Sequence, residues 1–436
     1  MATVLYQGTA VNPASMDRLE VLEDCTIAVS DGIIRSIIRS GEPVPEEYAG
    51  CESVDFEGGI IIPAFSDLHI HASQYVERGV GMDCLLFEWL NRYTFPQESR
   101  FENPDYAKVI YSQVIYDLLL HGTMHANLFT TIHYDSCDLF FRMLEESGMY
   151  AYASKINMDI NSPDYYVEDT AASLAETECF ICEHTGSKLS GRVQPILVPR
   201  FAPTCSEPLL RGLGDLAAKY GVGLHTHLVE SREEAAWAKE LFPQFRSDGE
   251  IYEQCGLLQG TGPKIFAHVI FPTEVEKDIL ERYDAVSVHC PDATTNITAG
   301  IMPASRLNDS GLRVAMGTDV GGGHYIGLYR QICRAVQLSK MKEFYEPEYR
   351  RLRFANAFYM ATAVGGSVFG KVGKLEPGYR FDALVLDGLQ DDGYTVSVEE
   401  CVERFCYIGD DRNIVCRIMN GSIVHPEEVL DRILEL

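Results

Sequence analysis

From about Ile60 onward, short β-rich runs alternate with amphipathic helical stretches, and the alternation repeats eight times before the C-terminal tail begins. The runs cover residues 59–72, 122–133, 150–159, 192–205, 221–230, 263–271, 285–292 and 312–323. Strands separated by helices demand parallel pairing, because a crossover helix returns the chain to the same end of the sheet. Eight such units predict a closed α/β (β/α)8 TIM barrel over residues 60–375 rather than an open doubly wound sheet. The flanks read differently. CTIAV and IIRSII near the start, with FDALVLD and IVCRIMNGSIV near the end, are strand-like without intervening helices. Residues 1–59 and 376–436 are therefore expected to share one small β-sandwich packed directly on the barrel.

Composition narrows the partners. With 64 acidic against 36 basic residues the formal net charge is −28, a surface that repels phosphate backbones. No nucleic-acid partner is expected, whereas a neutral small molecule suits such a surface. The opening MATVLYQGTAVNP lacks the basic flank and apolar core of a signal peptide, and no apolar run approaches the roughly 20 residues that span a bilayer. The expected location is the cytoplasm, away from membranes. Thirteen cysteines, an odd number, read as buried reduced thiols. Cys179 and Cys182 form a lone CxxC in a helical stretch and are assigned no metal or redox role.

The first barrel strand ends in Asp67-Leu68-His69-Ile70-His71, and residues two apart on a strand share a face. His69 and His71 can then grip one ion at the carboxyl end of the barrel, where this fold gathers catalytic groups. A second HxH, His225-Thr226-His227, closes the fifth strand, and one of its two histidines suffices as a ligand. Asp319 ends the eighth strand in Gly317-Thr318-Asp319, followed by three glycines that permit a sharp turn. Three imidazoles, a carboxylate and a water make an open catalytic zinc site, with iron(II) the alternative metal.

HxH, HxxE, a sixth-strand histidine and a GTD aspartate, in this order, resemble the amidohydrolase superfamily over nearly the whole chain. Within it, His71-Ala72-Ser73-Gln74-Tyr75, the segment from Glu88 to Pro96, Pro199-Arg200-Phe201 and the stretch from Tyr407 to Ile414 are similar to the guanine deaminases. The resemblance implies one zinc per subunit on His69, His71, His227 and Asp319, a homodimer, and hydrolytic deamination of guanine to xanthine and ammonia in purine catabolism. It implies Glu230, His268 and Asp319 as catalytic groups, with His268 bonded to the zinc-bound water or itself a ligand. The nucleobase would contact His71, Gln74, Arg200, Phe201, His227, Glu230 and Asp319.

Each implied role has a physical sense. Zinc lowers the pKa of its water toward about 7, and Glu230, three residues beyond a ligand, can carry the water's proton to a ring nitrogen. Asp319 can orient the nucleophile and help protonate the departing amine. Phe201 offers a flat apolar surface, Arg200 fixed donors to a ring carbonyl, and Gln74 both a donor and an acceptor. Other readings compete: Glu230 as a cap of the following helix, and Arg200-Phe201 as a loop ion pair and a core aromatic. His225, His289 and His324 read as structural or as supports for the ligands; His121, His125, His133, His184 and His425 match no motif. After His289-Cys290-Pro291 the run Asp292-Ala293-Thr294-Thr295-Asn296 departs from the serine-asparagine pair usual in guanine deaminases. It is expected to overhang the pocket mouth, which keeps 8-oxoguanine, pterins and other aminopurines open as substrates. A binuclear cyclic-amide hydrolase would need a bridging lysine on the fourth strand. The nearest candidate, Lys155, follows the third.

Overall fold

A computed structural model of the protein describes residues 3–185, 191–390, 394 and 396–436. The eight barrel positions are filled in chain order by Phe65–His71, Thr123–Phe129, Tyr150–Ser154, the paired pieces Val193–Gln194 and Ile196–Leu197, Gly223–Leu228, Lys264–His268, Val286–His289 and Arg313–Met316. All neighbouring pairs are parallel. Pro195 has no amide hydrogen to donate, and the fourth strand is split there. The last strand meets the first through Asp319 N–H to His69 O (2.8 Å) and His71 N–H to Val320 O (2.7 Å), which closes the barrel. Leu68, Ile156, Ile196, Val198, Ile265, Val288 and Ala315 pack together inside it. A second, larger apolar layer joins the strands to the surrounding helices.

Both chain ends enter one seven-stranded sheet that contains Thr3–Ser15, Arg18–Ser30, Ile33–Ile38, Glu52–Pro63, Ala383–Leu386, Ile414–Met419 and Ser422–Ile423. The expected sandwich is therefore one hydrogen-bonded sheet curled over its own core. The turn at Gly32 and the turn at Gly421 belong to opposite ends of the strand order, yet both bond Phe381: Phe381 N–H to Gly32 O (2.8 Å) and Gly421 N–H to Phe381 O (2.9 Å). Tyr6, Ile27, Ile34, Ile61, Phe381, Val385 and Ile418 fill the fold of the sheet. The strand Glu52–Pro63 runs across the expected boundary at residue 59, so the first β-rich run holds the end of this strand as well as the first barrel strand.

The sheet is keyed into the barrel by a buried polar chain. His125 Nε2 bonds Asp382 Oδ2 (2.9 Å) and its Nδ1 meets Ser66 Oγ (3.1 Å), all three side chains being shielded from solvent. Removing one partner of such a pair strands a buried carboxylate. His125→Leu is accordingly expected to destabilise the fold by about 3 kcal/mol, read by urea denaturation, with the metal content of the folded fraction unchanged.

All thirteen cysteines are free. The expectation of burial holds for eight of them but fails at Cys179 and Cys182, which lie exposed on the helix Thr170–His184. Among the described residues no helix is long and apolar enough to cross a membrane.

Candidate active site

At the carboxyl ends of the strands, His69, His71, His227, His268 and Asp319 converge. His69 Nε2 and His71 Nε2 lie 3.3 and 3.5 Å from Asp319 Oδ1, His268 Nε2 lies 3.6 Å from Asp319 Oδ2, and His71 Nε2 and His227 Nε2 stand 3.2 Å apart. In three overlapping triads (His69, His71, His227; His69, His268, Asp319; His227, Glu230, His268) the ligand atoms lie within 4.8 Å of one another. Burial depresses the pKa of His69 and of His227 to about 3, with the Arg200 charge adding to the first and His69 to the second; those of His71 and His268 fall well below the usual value, also chiefly through burial. Imidazoles so placed are neutral at pH 7 and present lone pairs.

Two of them, His69 and His227, are fixed from behind. His227 Nδ1 lies 2.6 Å from the carbonyl of Arg200, which can only accept, so Nδ1 carries the proton and Nε2 faces the cluster. His69 Nδ1 bonds His225 Nε2 at 2.8 Å, and His69 Nε2, fully buried, has no hydrogen-bond partner among the described residues. A buried acceptor without a donor is costly, and ring nitrogens held from behind and aimed at a carboxylate make the donor set of a divalent metal. Burial raises the Asp319 carboxyl to about 7, while His227 and Arg200 pull the other way. The buried cluster fits a divalent metal ion, with His268 close enough to belong to the set.

The backbone around the cluster departs from strand geometry. Ile265 packs inside the barrel and Phe266 outside, so strict alternation would turn His268 outward. His268 and Val269 adopt left-handed φ values of +74° and +50°, which end the alternation at the ligand. Asp319 is also left-handed (+50°). The glycines that follow serve close approach rather than a special dihedral: a Cβ on Gly323 would lie 1.8 Å from Thr318 O, and one on Gly321 2.5 Å from Gln74 O. Beneath them Asp67 accepts from Thr318 Oγ1 (2.5 Å) and Thr318 N–H (3.1 Å) and ties the first strand to the last.

Glu230 lies 3.4 Å from His268 Nε2. It is not the helix cap. Ser231 caps Arg232–Leu241 in a reciprocal box with Glu234, whose Oε2 also accepts the Glu230 N–H at 2.6 Å. Burial raises the Glu230 carboxyl well above the ordinary range, with Glu234 and Asp319 adding to it.

A cavity opens over the cluster. His71, Gln74, Trp89, Arg200, Phe201, His227, Glu230, Ile297 and Asp319 are among the residues that line it. Arg200 is both a wall of this cavity and an ion-pair donor: Nη1 and Nη2 reach Glu98 at 2.5 and 3.3 Å. Glu98 also accepts from Gln74 Nε2 at 2.8 Å. Sequence reasoning missed Glu98, although a buried arginine announces that some carboxylate must meet it. Residues Asp292 to Asn296 form a short helix and are absent from the cavity wall. Asp292 is instead buried against Gln331 (2.9 Å) and Arg334 (2.8 Å), so the expectation that this run overhangs the pocket mouth is not met, and Ile297 is the wall residue there. Lys155 is buried in ion pairs with Glu168 and Glu176. His324 bonds Asn296 (3.1 Å), and none of His121, His125, His133, His184 or His425 lines the cavity.

Comparison with known proteins accords with this geometry. Residues 60–424 match the amidohydrolase family model. The chain is 32% identical to guanine deaminase of Mus musculus over 443 residues, covering 97% of each chain. It is 32% identical to guanine deaminase of Escherichia coli over 382 residues, 85% of this chain and 84% of the other. A crystal structure of guanine deaminase from C. acetobutylicum with bound guanine superposes with a TM-score of 0.93 at 41% identity, covering 97% of this chain and 100% of that one. A divalent-metal cluster at the mouth of a (β/α)8 barrel and full-length similarity together place this chain in the amidohydrolase family, among the guanine deaminases.

Proposed function

We propose that the chain hydrolyses guanine to xanthine and ammonia, as a cytoplasmic homodimer whose catalytic unit is the barrel of residues 60–375. The observation that carries the reading is that one cavity joins the buried ligand cluster to Gln74, Arg200 and Phe201. His69, His71, His227 and Asp319 would hold one zinc ion, which supplies the Lewis acidity that makes water a competent nucleophile near neutral pH. Iron(II) is the second metal such a donor set takes.

The side chains account for the remaining steps. Phe201 covers one face of the purine, and the N–H donors of Arg200 meet the ring carbonyl. Gln74 reads the adjoining edge with the donor and the acceptor capacity left after its bonds to Glu98 and Gly321. Water adds to the carbon that bears the amino group. Glu230 takes a proton from that water and delivers it to the neighbouring ring nitrogen, a transfer suited to a carboxyl whose proton affinity is raised by burial. His268, between Glu230 and Asp319, keeps the two carboxyl groups apart in role. Asp319 then assists protonation of the departing amine.

Zinc-loaded protein should release one ammonia per guanine consumed, with xanthine appearing in the ultraviolet spectrum. Chelation should remove that turnover and lower the thermal midpoint, since a metal that binds only the folded state stabilises it by mass action, and one equivalent of zinc per chain should restore both. Metal-replete protein that leaves guanine untouched sinks the reading; two metals per active chain sink its mononuclear part.

A further inference from the structure

Arg200 is a cation buried to 2% exposure, and it sits close enough to the ligand cluster for its charge to depress His69 and to oppose the rise at Asp319. A lone guanidinium there would draw any anion that fits the cavity. Two carboxyl groups adjoin it. Glu77 is buried, and neither of its oxygens has a hydrogen-bond partner among the described residues. Burial, reinforced by Glu98, pushes its carboxyl up to about 9, so it is neutral at pH 7. Glu98 is fully buried and, unlike Glu77, has hydrogen-bond partners. It takes both Arg200 terminal nitrogens and the Gln74 amide at 2.8 Å, three donors on one carboxylate. Burial, the largest single influence, lowers the Arg200 pKa, and the charge and hydrogen bonds of Glu98, with Tyr166 and Glu77 adding to them, together raise it instead.

The contacts also settle which way Gln74 faces. A carboxylate only accepts, so the end of Gln74 at Glu98 is the amide nitrogen, and its oxygen meets the Gly321 N–H at 3.3 Å. One carboxylate therefore sets the directions of both residues that read the purine edge. Its charge also equals and opposes that of Arg200.

We propose that Glu98 is the specificity-determining and positioning residue of this site: by cancelling the charge of Arg200 while fixing Arg200 and Gln74, it makes the cavity read neutral purines by hydrogen bonding and turn away anionic ones. The proposal rests on the purine reading above. It assigns Glu98 no contact with the reacting atoms. Its consequence for turnover is that an anionic purine, whether a product that has lost a proton or a competitor, gains no grip from the buried arginine.

The test uses Glu98→Gln in the zinc-loaded protein, because glutamine keeps the volume and one acceptor while it removes the charge and turns the second acceptor into a donor. Urate, an anionic purine, and hypoxanthine, a neutral one, are titrated by calorimetry alongside guanine kinetics and metal analysis. Hydrogen bonds to charged groups contribute about 1.5–3 kcal/mol, roughly 10–100-fold. The guanine KM should rise about tenfold or more with zinc still at one equivalent, while the urate-to-hypoxanthine affinity ratio shifts about tenfold toward urate. A merely structural role would weaken all three ligands together, and that parallel loss, or an unchanged ratio, overturns the proposal.

A double variant, Glu98→Gln with Arg200→Gln, removes both charges and covers the case in which the single variant fails to fold. Its urate-to-hypoxanthine ratio should return to within about threefold of the unaltered protein, and a tenfold departure overturns the proposal. Because these affinities are read without turnover, unaltered protein that ignores guanine condemns the functional reading alone, whereas an unmoved ratio condemns the role of Glu98 alone.

Discussion

Glu230→Gln is expected to lower kcat by about 10²–10⁴-fold while zinc content stays at one equivalent and the KM for guanine moves little. An amide keeps the size and much of the polarity of the carboxyl but cannot take up and return a proton. The surroundings favour a proton carrier. Glu230 lines the cavity, stands 3.4 Å from His268 Nε2, and has its proton affinity raised first by burial and then by Glu234 and Asp319. The competing view, a carboxylate that stabilises the next helix, requires Glu230 to cap it. Ser231 and Glu234 already form the reciprocal cap, and the Glu230 backbone N–H that Glu234 accepts survives the substitution. Helix stability should therefore change by only a few tenths of a kcal/mol at most, too little to mimic the kinetic loss. A fall in kcat below tenfold, or a fall that tracks lost zinc, rejects the assignment.

Much of this site is written in local periodicity, and the part that is not depends on departures from it. His225 and His227 could be assigned to one face of a strand because the period of two holds through their segment. His69 and His71 share the site although the first strand has an irregularity between Asp67 and Ile70 that puts Leu68 inside the barrel and Ile70 outside. The eight strand positions were legible for the same reason: a parallel sheet covered on both faces demands apolar runs between amphipathic helices. His268 was legible as a residue but not in direction, since only the left-handed backbone at 268 and 269 brings its ring back to the cluster. The glycines after Asp319 were legible as a tight place, but their cause is the backbone of Thr318 and Gln74 pressing within a bond length or two, which no local pattern encodes.

Glu98 was beyond reach altogether. A buried arginine needs a carboxylate, but the chain offers 64, and the one that answers lies 102 residues away. The shared β domain of the two chain ends was legible, but its pairing as one hydrogen-bonded sheet was not, because strand composition reveals burial and not pairing. Only the meeting of Gly32 and Gly421 at Phe381 shows the sheet folded on itself. The run from Asp292 to Asn296 shows the reverse error, where a difference in sequence suggested a different pocket. Asp292 turns to Gln331 and Arg334 behind the wall, so the difference changes packing between helices and leaves the cavity lining to Ile297 and Gly322.

Guanine should exceed adenine in kcat/KM by a factor on the order of 10⁴, because a site built to bond a carbonyl is left with unpaired buried donors when an amine takes its place. The factor depends on rigidity. Were Arg200 free to swing aside, adenine would lose only the bond; held by two nitrogens to Glu98 at 2.5 and 3.3 Å and nearly excluded from solvent, it has nowhere to turn. Gln74 is fixed at both ends of its amide and cannot exchange donor for acceptor without breaking a bond to Glu98 or to Gly321. Adenine also places its amino group on a different ring carbon, so a pose that satisfies Arg200 moves the reacting carbon away from Glu230. Side-by-side kcat/KM values for guanine, 8-oxoguanine, adenine and a pterin test this. A guanine lead under tenfold over adenine would mean that the Arg200 and Gln74 wall does not read the carbonyl, whereas an equal rate for 8-oxoguanine or a pterin, which carry the same carbonyl, would overturn guanine as the preferred substrate and leave that reading intact. If guanine does not lead adenine, the substrate has to be sought among heterocycles that fill the same cavity without presenting an acceptor to Arg200.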